Sequence, residues 1–310
     1  CFEFTVIGSK GELKSKNISG WDRFDGHSPH KPFIDEVKIS CDCGGTMTRI
    51  GDVGNPWLDA GIVPFSTPVD PQAKKVSYTD DQKYFSKWFP ADFITESFPG
   101  QFKNWFYAMI AMSTVLEDVP PYNTVLGFAS MLGEDGRPMH KSWGNSIEFN
   151  EGADKIGVDV MRWTFLRHNP ERNLLFGYKM AGETKRQFHM MLWNSFRFFI
   201  NNALLDEYVY KTPKNLSENV LDKWVLLRLD EVCKTVTASL EKYDAATATL
   251  ALEKFVEDLS TWYIRRSRDR VGPTSIDKSD KKACYDTLYQ VFLTLSCLLM
   301  PFVPFIADLL

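Results

Sequence analysis

Gly136-Arg137-Pro138-Met139-His140-Lys141-Ser142-Trp143-Gly144-Asn145 is the stretch on which the reading of this chain turns. It follows an apolar, strand-like run, Val125-Leu126-Gly127-Phe128, and Gly133, Gly136 and Gly144 punctuate it. Such a pattern predicts a mobile loop beyond a strand, carrying a lysine and a serine toward something anionic. Taken alone, a Lys-Ser pair in a loop is more often plain solvated surface than a phosphate clamp. Upstream, Trp105 to Leu116 has helical periodicity and Asn123 to Ala129 reads as a buried strand. A further strand, Asp92 to Thr95, precedes a helix expected to start near Phe102. Strand, helix, strand in that order predicts one parallel α/β unit, whose ligands gather at the C-terminal ends of its strands.

Downstream the pattern turns helical. Phe188, Leu192, Phe196, Phe199 and Ala203 recur at steps of three and four, as do Leu221, Val225, Leu229, Val232, Val236 and Leu240. Ala248, Leu252, Phe255, Leu259 and Trp262 form a third set, and Tyr285, Leu288, Phe292, Leu295 and Leu299 a fourth. Each is one apolar stripe, and together they predict an antiparallel helix bundle. The 310 residues, 44% of them hydrophobic, suffice for two or three packed units. No apolar run reaches membrane-spanning length, so no membrane partner is expected. Net charge is -4, so any nucleic-acid contact rests on local basic patches rather than a global field. Six cysteines do not make a disulfide framework, and Cys233, Cys284 and Cys297 fall in helical patterns as core residues. Cys1 is not an initiator methionine and Phe302 to Leu310 carries no helix stop, which suggests a part of a larger protein.

Four stretches, in order, carry a resemblance. Met139-His140-Lys141-Ser142 resembles the KMSKS loop of class I aminoacyl-tRNA synthetases, with Pro138 for the first lysine and His140 for the first serine. Pro90-Ala91-Asp92-Phe93-Ile94-Thr95-Glu96, continuing to Gln101 and Trp105-Phe106, resembles the adenylate-binding run of the isoleucyl enzymes. It departs from that run in Ser97, in Pro99-Gly100 where an aspartate is usual, and in one extra residue between Glu96 and Trp105. Asp52 to Gly61, with Trp57, is similar to the family's re-entry into its catalytic domain. Leu259-Ser260-Thr261-Trp262-Tyr263-Ile264-Arg265-Arg266-Ser267-Arg268 resembles the anticodon-side helices of the isoleucyl branch. Read without the resemblance, Glu96 fits a loop acid, Trp57 a core tryptophan, and the arginines a solvated helix end.

The resemblance implies a partial Rossmann-like catalytic domain followed by an antiparallel helix bundle, α/β plus all-α. Residues 1–50 would be the tail of an editing insertion and 51–150 the second half of the catalytic domain. Residues 151–215 would connect, and 216–310 would be the anticodon-side bundle. It implies ATP-dependent ligation of L-isoleucine to its tRNA through an aminoacyl-adenylate, with ATP and Mg2+ as cofactors, in a cytoplasmic monomer. Rivals are a valyl, leucyl or methionyl relative, and a non-catalytic tRNA-binding paralogue. Lys141 would be catalytic, and Met139, His140, Lys141 and Ser142 would bind ATP. Glu96, Gln101, Trp57 and Trp105 would hold the adenylate, and Arg265, Arg266, Arg268 and Arg270 the tRNA. The HIGH motif is expected upstream of Cys1, leaving these 310 residues inactive by themselves. Cys41-Asp42-Cys43-Gly44-Gly45 is a knuckle-like turn. With Cys1, or His27 and His30 as weaker donors, it is a candidate structural Zn2+ site. Paired zinc cysteines usually stand further apart, and four ligands are wanted.

Overall fold

A computed structural model describes residues 4–52, 54–72, 74–140, 143–213 and 217–310. The chain divides into two compact units, Cys1–Val63 and Pro64–Leu310.

In the N-terminal unit, helix α1 (Lys10–Lys16) starts at Ser9, whose Oγ accepts from the Glu12 N–H at 3.1 Å. The strands are short: β1 (Asn17–Ser19), β2 (Lys38–Ser40) and β3 (Thr46–Thr48), antiparallel in the order β1-β2-β3. Between β1 and β2 lie α2 (Trp21–Phe24) and a 3-10 turn, Phe33–Glu36. Gly20 precedes α2 at φ +82°, and a Cβ there would lie 1.9 Å from the Glu36 carbonyl oxygen. Only glycine fits, for conformation and for space. Asn55 starts α3 (Pro56–Ser66), its side-chain oxygen accepting from the Trp57 N–H at 3.0 Å.

The second unit begins with two short helices, α4 (Ser77–Asp80) and α5 (Gln82–Phe85), around an aromatic cluster of Phe65, Phe85 and Phe89. The expected α/β unit follows. β4 (Ala91–Ser97) pairs in parallel with β5 (Tyr122–Phe128), and α7 (Trp105–Leu116) crosses between them. The helix foreseen from Phe102 is displaced: α6 (Phe98–Gln101) forms one turn, and α7 opens at Trp105. β6 (Met131–Gly133) pairs in parallel with β7 (Leu174–Phe176) across α8 (Phe149–Ile156) and α9 (Val158–Leu166).

The rest is helical: α10 (Tyr178–Thr184), a π turn (Lys185–His189), α11 (Met190–Leu205), α12 (Val220–Leu240) and α13 (Ala245–Asp258). A second π turn (Leu259–Ile264), α14 (Arg265–Val271), α15 (Lys278–Leu299) and α16 (Pro304–Leu309) complete it. The stripes meet in one core: Leu192, Phe199, Val225, Leu229, Val232, Leu252, Phe255, Leu288, Phe292 and Leu295 are all buried. Asn219, Asp244 and Asp277 cap α12, α13 and α15 through their side chains, satisfying N–H groups that a helix start leaves free. Two expectations fail. Cys297 is exposed, on the far side of α15 from the stripe. Trp262, the last member of the third stripe, is turned out, and Tyr263 is buried in its place.

α9 is bolted to the end of α15. Arg162 donates from Nε to the Phe302 carbonyl and from Nη2 to the Pro301 carbonyl, each at 2.7 Å. Asp159 accepts from the Ile306 N–H at 2.7 Å, and buried Trp163 donates to Glu253 at 2.8 Å. No helix among the described residues is long and apolar enough to cross a membrane.

Candidate functional site

Parallel pairing brings the C-terminal ends of β4 and β5 to the same side, with Glu96 opposite Gly127 and Ser97 opposite Phe128. Phe98, the first residue of α6, lies against β5 so closely that a Cβ on Gly127 would sit 2.9 Å from the Phe98 Cβ. Glu96 is half-buried, and its Oε1 accepts from the Ser97 N–H at 2.7 Å. Thr95 Oγ1 donates to the Leu126 carbonyl at 2.9 Å and ties the strand ends together. Gln101 is engaged as well: its side-chain oxygen accepts from the Trp105 N–H at 3.3 Å and caps α7. Trp105 is half-buried against Phe106, with ring centroids 5.8 Å apart. Glu96, Gln101 and Trp105 therefore occupy one strand-to-helix turn. Trp57 is half-buried in α3 of the N-terminal unit.

Beyond β6 the chain makes a tight reversal. The Gly133 N–H donates to the Arg137 carbonyl at 2.9 Å, the Gly136 N–H to the Gly133 carbonyl at 2.9 Å, and Gly136 has φ +78°. Asp135 accepts from the Arg137 N–H and guanidinium, which holds its carboxyl below the usual value. Asn145 then staples the loop. Its Nδ2 donates to the Pro138 carbonyl at 3.0 Å, and its Oδ1 accepts from the His140 N–H at 2.9 Å. Trp143 donates its N–H to the His140 carbonyl at 3.0 Å, and the two rings meet edge-on at 4.4 Å. Met139 is half-buried and His140 exposed; Lys141 and Ser142 lie outside the described residues. The base of the loop is fixed by Glu134, which accepts from the Met180 N–H at 2.9 Å in the first turn of α10. Gly177 makes room for it, since a Cβ there would lie 2.2 Å from the Glu134 Cγ.

At the knuckle the Cys41 and Cys43 thiols share a hydrogen bond at 3.2 Å, and Gly44 turns the chain at φ +82°. The hydrogen bond to Cys41 and then that with Gly45 bring the Cys43 pKa below its usual value. The other expected donors are elsewhere: His27 stacks on Phe33 at 3.8 Å, His30 pairs with Ser28 at 2.8 Å, and Cys1 lies outside the described residues. Among the described residues no group of three or more His, Cys, Asp or Glu converges. Two thiols are half of a tetrahedral zinc set, so the described donors do not fit a closed site.

The C-terminal arginines divide. Arg270, grouped with the tRNA contacts from sequence, is a core residue. Its guanidinium bonds Asp222 through Nη1 at 2.7 Å and Nη2 at 2.8 Å. It bonds Asp280 through Nε at 2.8 Å and Nη2 at 2.7 Å. Side-chain exposure is 10% for Arg270 and 0% for Asp222, so no phosphate reaches this guanidinium. Tyr263 Oη donates to the same Asp222 at 2.6 Å, and Ser217 adds a bond at 2.6 Å. Burial opposes the charge on Arg270, and the two carboxylates more than restore it, raising its pKa; Arg270 in turn lowers that of Asp280. Cys284, beside Tyr263, is pushed up to about 11 by burial, as befits an inert core thiol. Arg265, Arg266 and Arg268 are exposed.

Asn145, Glu134 and Asp222 had no sequence signal tying them to a site. Asn145 reads as one more turn former after Gly144, and Asp222 as a first-turn acid. Only the fold supplies their partners.

Two family descriptions match. Residues 12–176 match "tRNA synthetases class I (I, L, M and V)", and residues 222–310 match "Anticodon-binding domain of tRNA ligase". The isoleucine--tRNA ligase of Clostridium novyi (strain NT) is 38% identical over 311 residues, 99% of this chain and 29% of that protein. That of Thermus thermophilus is 35% identical over 314 residues, again covering 29% of the relative. The chain thus spans less than a third of the curated relatives it matches. Among solved structures, the Mycobacterium tuberculosis methionyl-tRNA synthetase in complex with methionyl-adenylate aligns over 88% of this chain and 53% of its own, with TM-score 0.65. The Agrobacterium radiobacter K84 LeuRS, in a ternary complex with tRNA and LeuAMS, aligns over 87% and 32%, with TM-score 0.63. Each is 18% identical, which speaks for the fold alone.

Proposed function

Since the chain belongs to the class I tRNA synthetase family, in its I, L, M and V group, we propose that it is part of an isoleucine--tRNA ligase. The observation that carries this reading is 35–38% identity to isoleucine--tRNA ligases across 99–100% of the chain, where the isoleucyl-like stretches lie. The carboxylate oxygen of L-isoleucine attacks the α-phosphorus of ATP, supplied as its magnesium complex. A new P–O bond forms, the bond to the β-phosphate breaks, and pyrophosphate leaves. A hydroxyl of the 3′-terminal adenosine of the tRNA then takes the acyl group, and AMP leaves. No protein nucleophile is needed, because such transfers are accelerated mainly by positioning and charge neutralisation.

In this reading Glu96 and Gln101, at the β4–α6 turn, face the adenylate, Trp105 supplies an aromatic wall of the isoleucine pocket, and Trp57 is assigned to adenylate binding on the resemblance alone. Met139, His140, Lys141 and Ser142 face the phosphates, with Lys141 compensating the charge that grows on them. The staple of Asn145 to Pro138 and His140 and the anchor of Glu134 to Met180 support it, since they hold the residues that flank the motif in place. Arg265, Arg266 and Arg268 meet the tRNA. Residues 1–50, 51–150, 151–215 and 216–310 are proposed as insertion tail, catalytic half, connector and bundle, in a cytoplasmic monomer.

The test is ATP–pyrophosphate exchange by the full-length protein with isoleucine, valine, leucine and methionine in turn. Isoleucine-dependent exchange is expected. Exchange driven best by another amino acid moves the protein to a sister enzyme. None with any of them leaves a tRNA-binding paralogue.

A further inference from the structure

Leu259–Ile264 is a π turn inside a continuous helical run from Ala245 to Val271. One residue inserted into α geometry offsets the following side chains by about 100° around the axis. The offset sends Tyr263 inward to Asp222 and Trp262 outward, where it is 47% exposed. Arg266 lays its guanidinium over the indole, 3.8 Å from the ring centroid. Arg265 and Arg268 are exposed nearby on the same short helix. Arg228 and Arg270 of the bundle are matched by carboxylates. Among the described residues, Arg265, Arg266 and Arg268 have no such partner.

We propose that Trp262 and Arg266 form a stacking platform for an unpaired RNA base, with Arg265 and Arg268 on the phosphates flanking it. The inference rests on the tRNA reading above and goes further, to the side chains on which a base would stack. A half-exposed indole and the planar guanidinium stacked on it, beside positive charge without a carboxylate partner, suit a splayed base and its backbone. A duplex offers phosphates but no free base face. The backbone that carries these side chains is tied down at two points, Tyr263 and Arg270, both bonded to the buried Asp222.

The experiment uses the full-length protein and an in-vitro transcript of isoleucine tRNA, titrated over a range of salt. Trp262→Ala should weaken binding about 5- to 150-fold at every salt concentration, with the log–log slope unchanged, because stacking releases no counterions. Trp262→Phe should recover most of the loss. Arg265→Gln with Arg268→Gln should instead lower the slope by about 0.7 to 0.9 per contact. Unchanged binding in Trp262→Ala, equal loss in Trp262→Ala and Trp262→Phe, or competition by a loop-free RNA duplex as strong as by the tRNA would each overturn the platform. Isoleucine-dependent pyrophosphate exchange by the parent is read alongside. If it is absent, the synthetase reading fails; if it is present with unchanged Trp262→Ala binding, only the platform does.

Discussion

Replacing Asp222 by alanine tests whether the buried charges organise the bundle. Asp222 has 0% side-chain exposure and receives bonds from Ser217, Tyr263 and two nitrogens of Arg270. Removing it leaves Arg270 with Asp280 alone, itself 30% exposed, and leaves the Tyr263 hydroxyl in a site built for an acceptor. Breaking one side of a buried pair costs about 3–5 kcal/mol. Asp280→Ala keeps Asp222 on Arg270 and loses charged hydrogen bonds at a wetter site, for about 1.5–3 kcal/mol. The double change Asp222→Leu with Arg270→Met should recover part of the loss, because no guanidinium is left buried without its partner, while Asp280 is 30% exposed and keeps its bond from Asn219. Urea unfolding of the 310-residue chain, followed by far-ultraviolet circular dichroism, gives the numbers. The pH dependence has a definite sign. The folded pKa of Asp280 is lowered, so its contribution is present above the ordinary value of 3.8 and is lost as pH falls through the folded value. Should Asp222→Ala unfold within about 1 kcal/mol of the parent, or prove milder than Asp280→Ala, the reasoning from buried pairs is wrong.

Lys141→Ala in the full-length protein should slow isoleucyl-adenylate formation by about 100- to 1,000-fold in pyrophosphate exchange, the usual loss of one charge-stabilising contact; a rate near the parent's would remove Lys141 from the chemistry. The 310 residues alone should give no isoleucine-dependent exchange, and measurable turnover by them would relocate the site. His189 is held near a pKa of about 4 by burial, against an ordinary 6.5. Because the unfolded chain binds the extra proton first, stability should fall as pH drops from 6.5 toward 4, and His189→Phe should flatten that window; an unchanged profile would mean the ring titrates elsewhere.

Where hydrophobic periodicity was the signal, the fold was legible. Trp105–Leu116 is a helix with the bounds its pattern gave, and the stripe from Tyr285 to Leu299 is buried along its length. The signal failed where a backbone irregularity broke the period. A π turn uses ordinary residues, so nothing in Leu259-Ser260-Thr261-Trp262-Tyr263-Ile264 announces that the stripe will skip from Trp262 to Tyr263. Arg270 was misread for a related reason. Its sequence neighbours are arginines, and the carboxylates that bury it lie 48 and 10 residues away. At the candidate site the motif residues could be named from sequence, but not the residues that brace them: Asn145 closes a loop across five and seven residues, and Glu134 reaches 46 residues to Met180.

The two ends of α15 have a mechanical consequence. Asp280, in its first turn, is tied to Arg270, while the Pro301 and Phe302 carbonyls just past its end are tied to Arg162 of α9. Its 22 residues form a rod about 33 Å long. A rod pinned at both ends cannot pivot about either, and it carries load along its axis. It acts as a ruler, setting how far the arginine face of α14 stands from α9. Seven added residues would lengthen that ruler by about 10 Å while turning its faces by only about 20°.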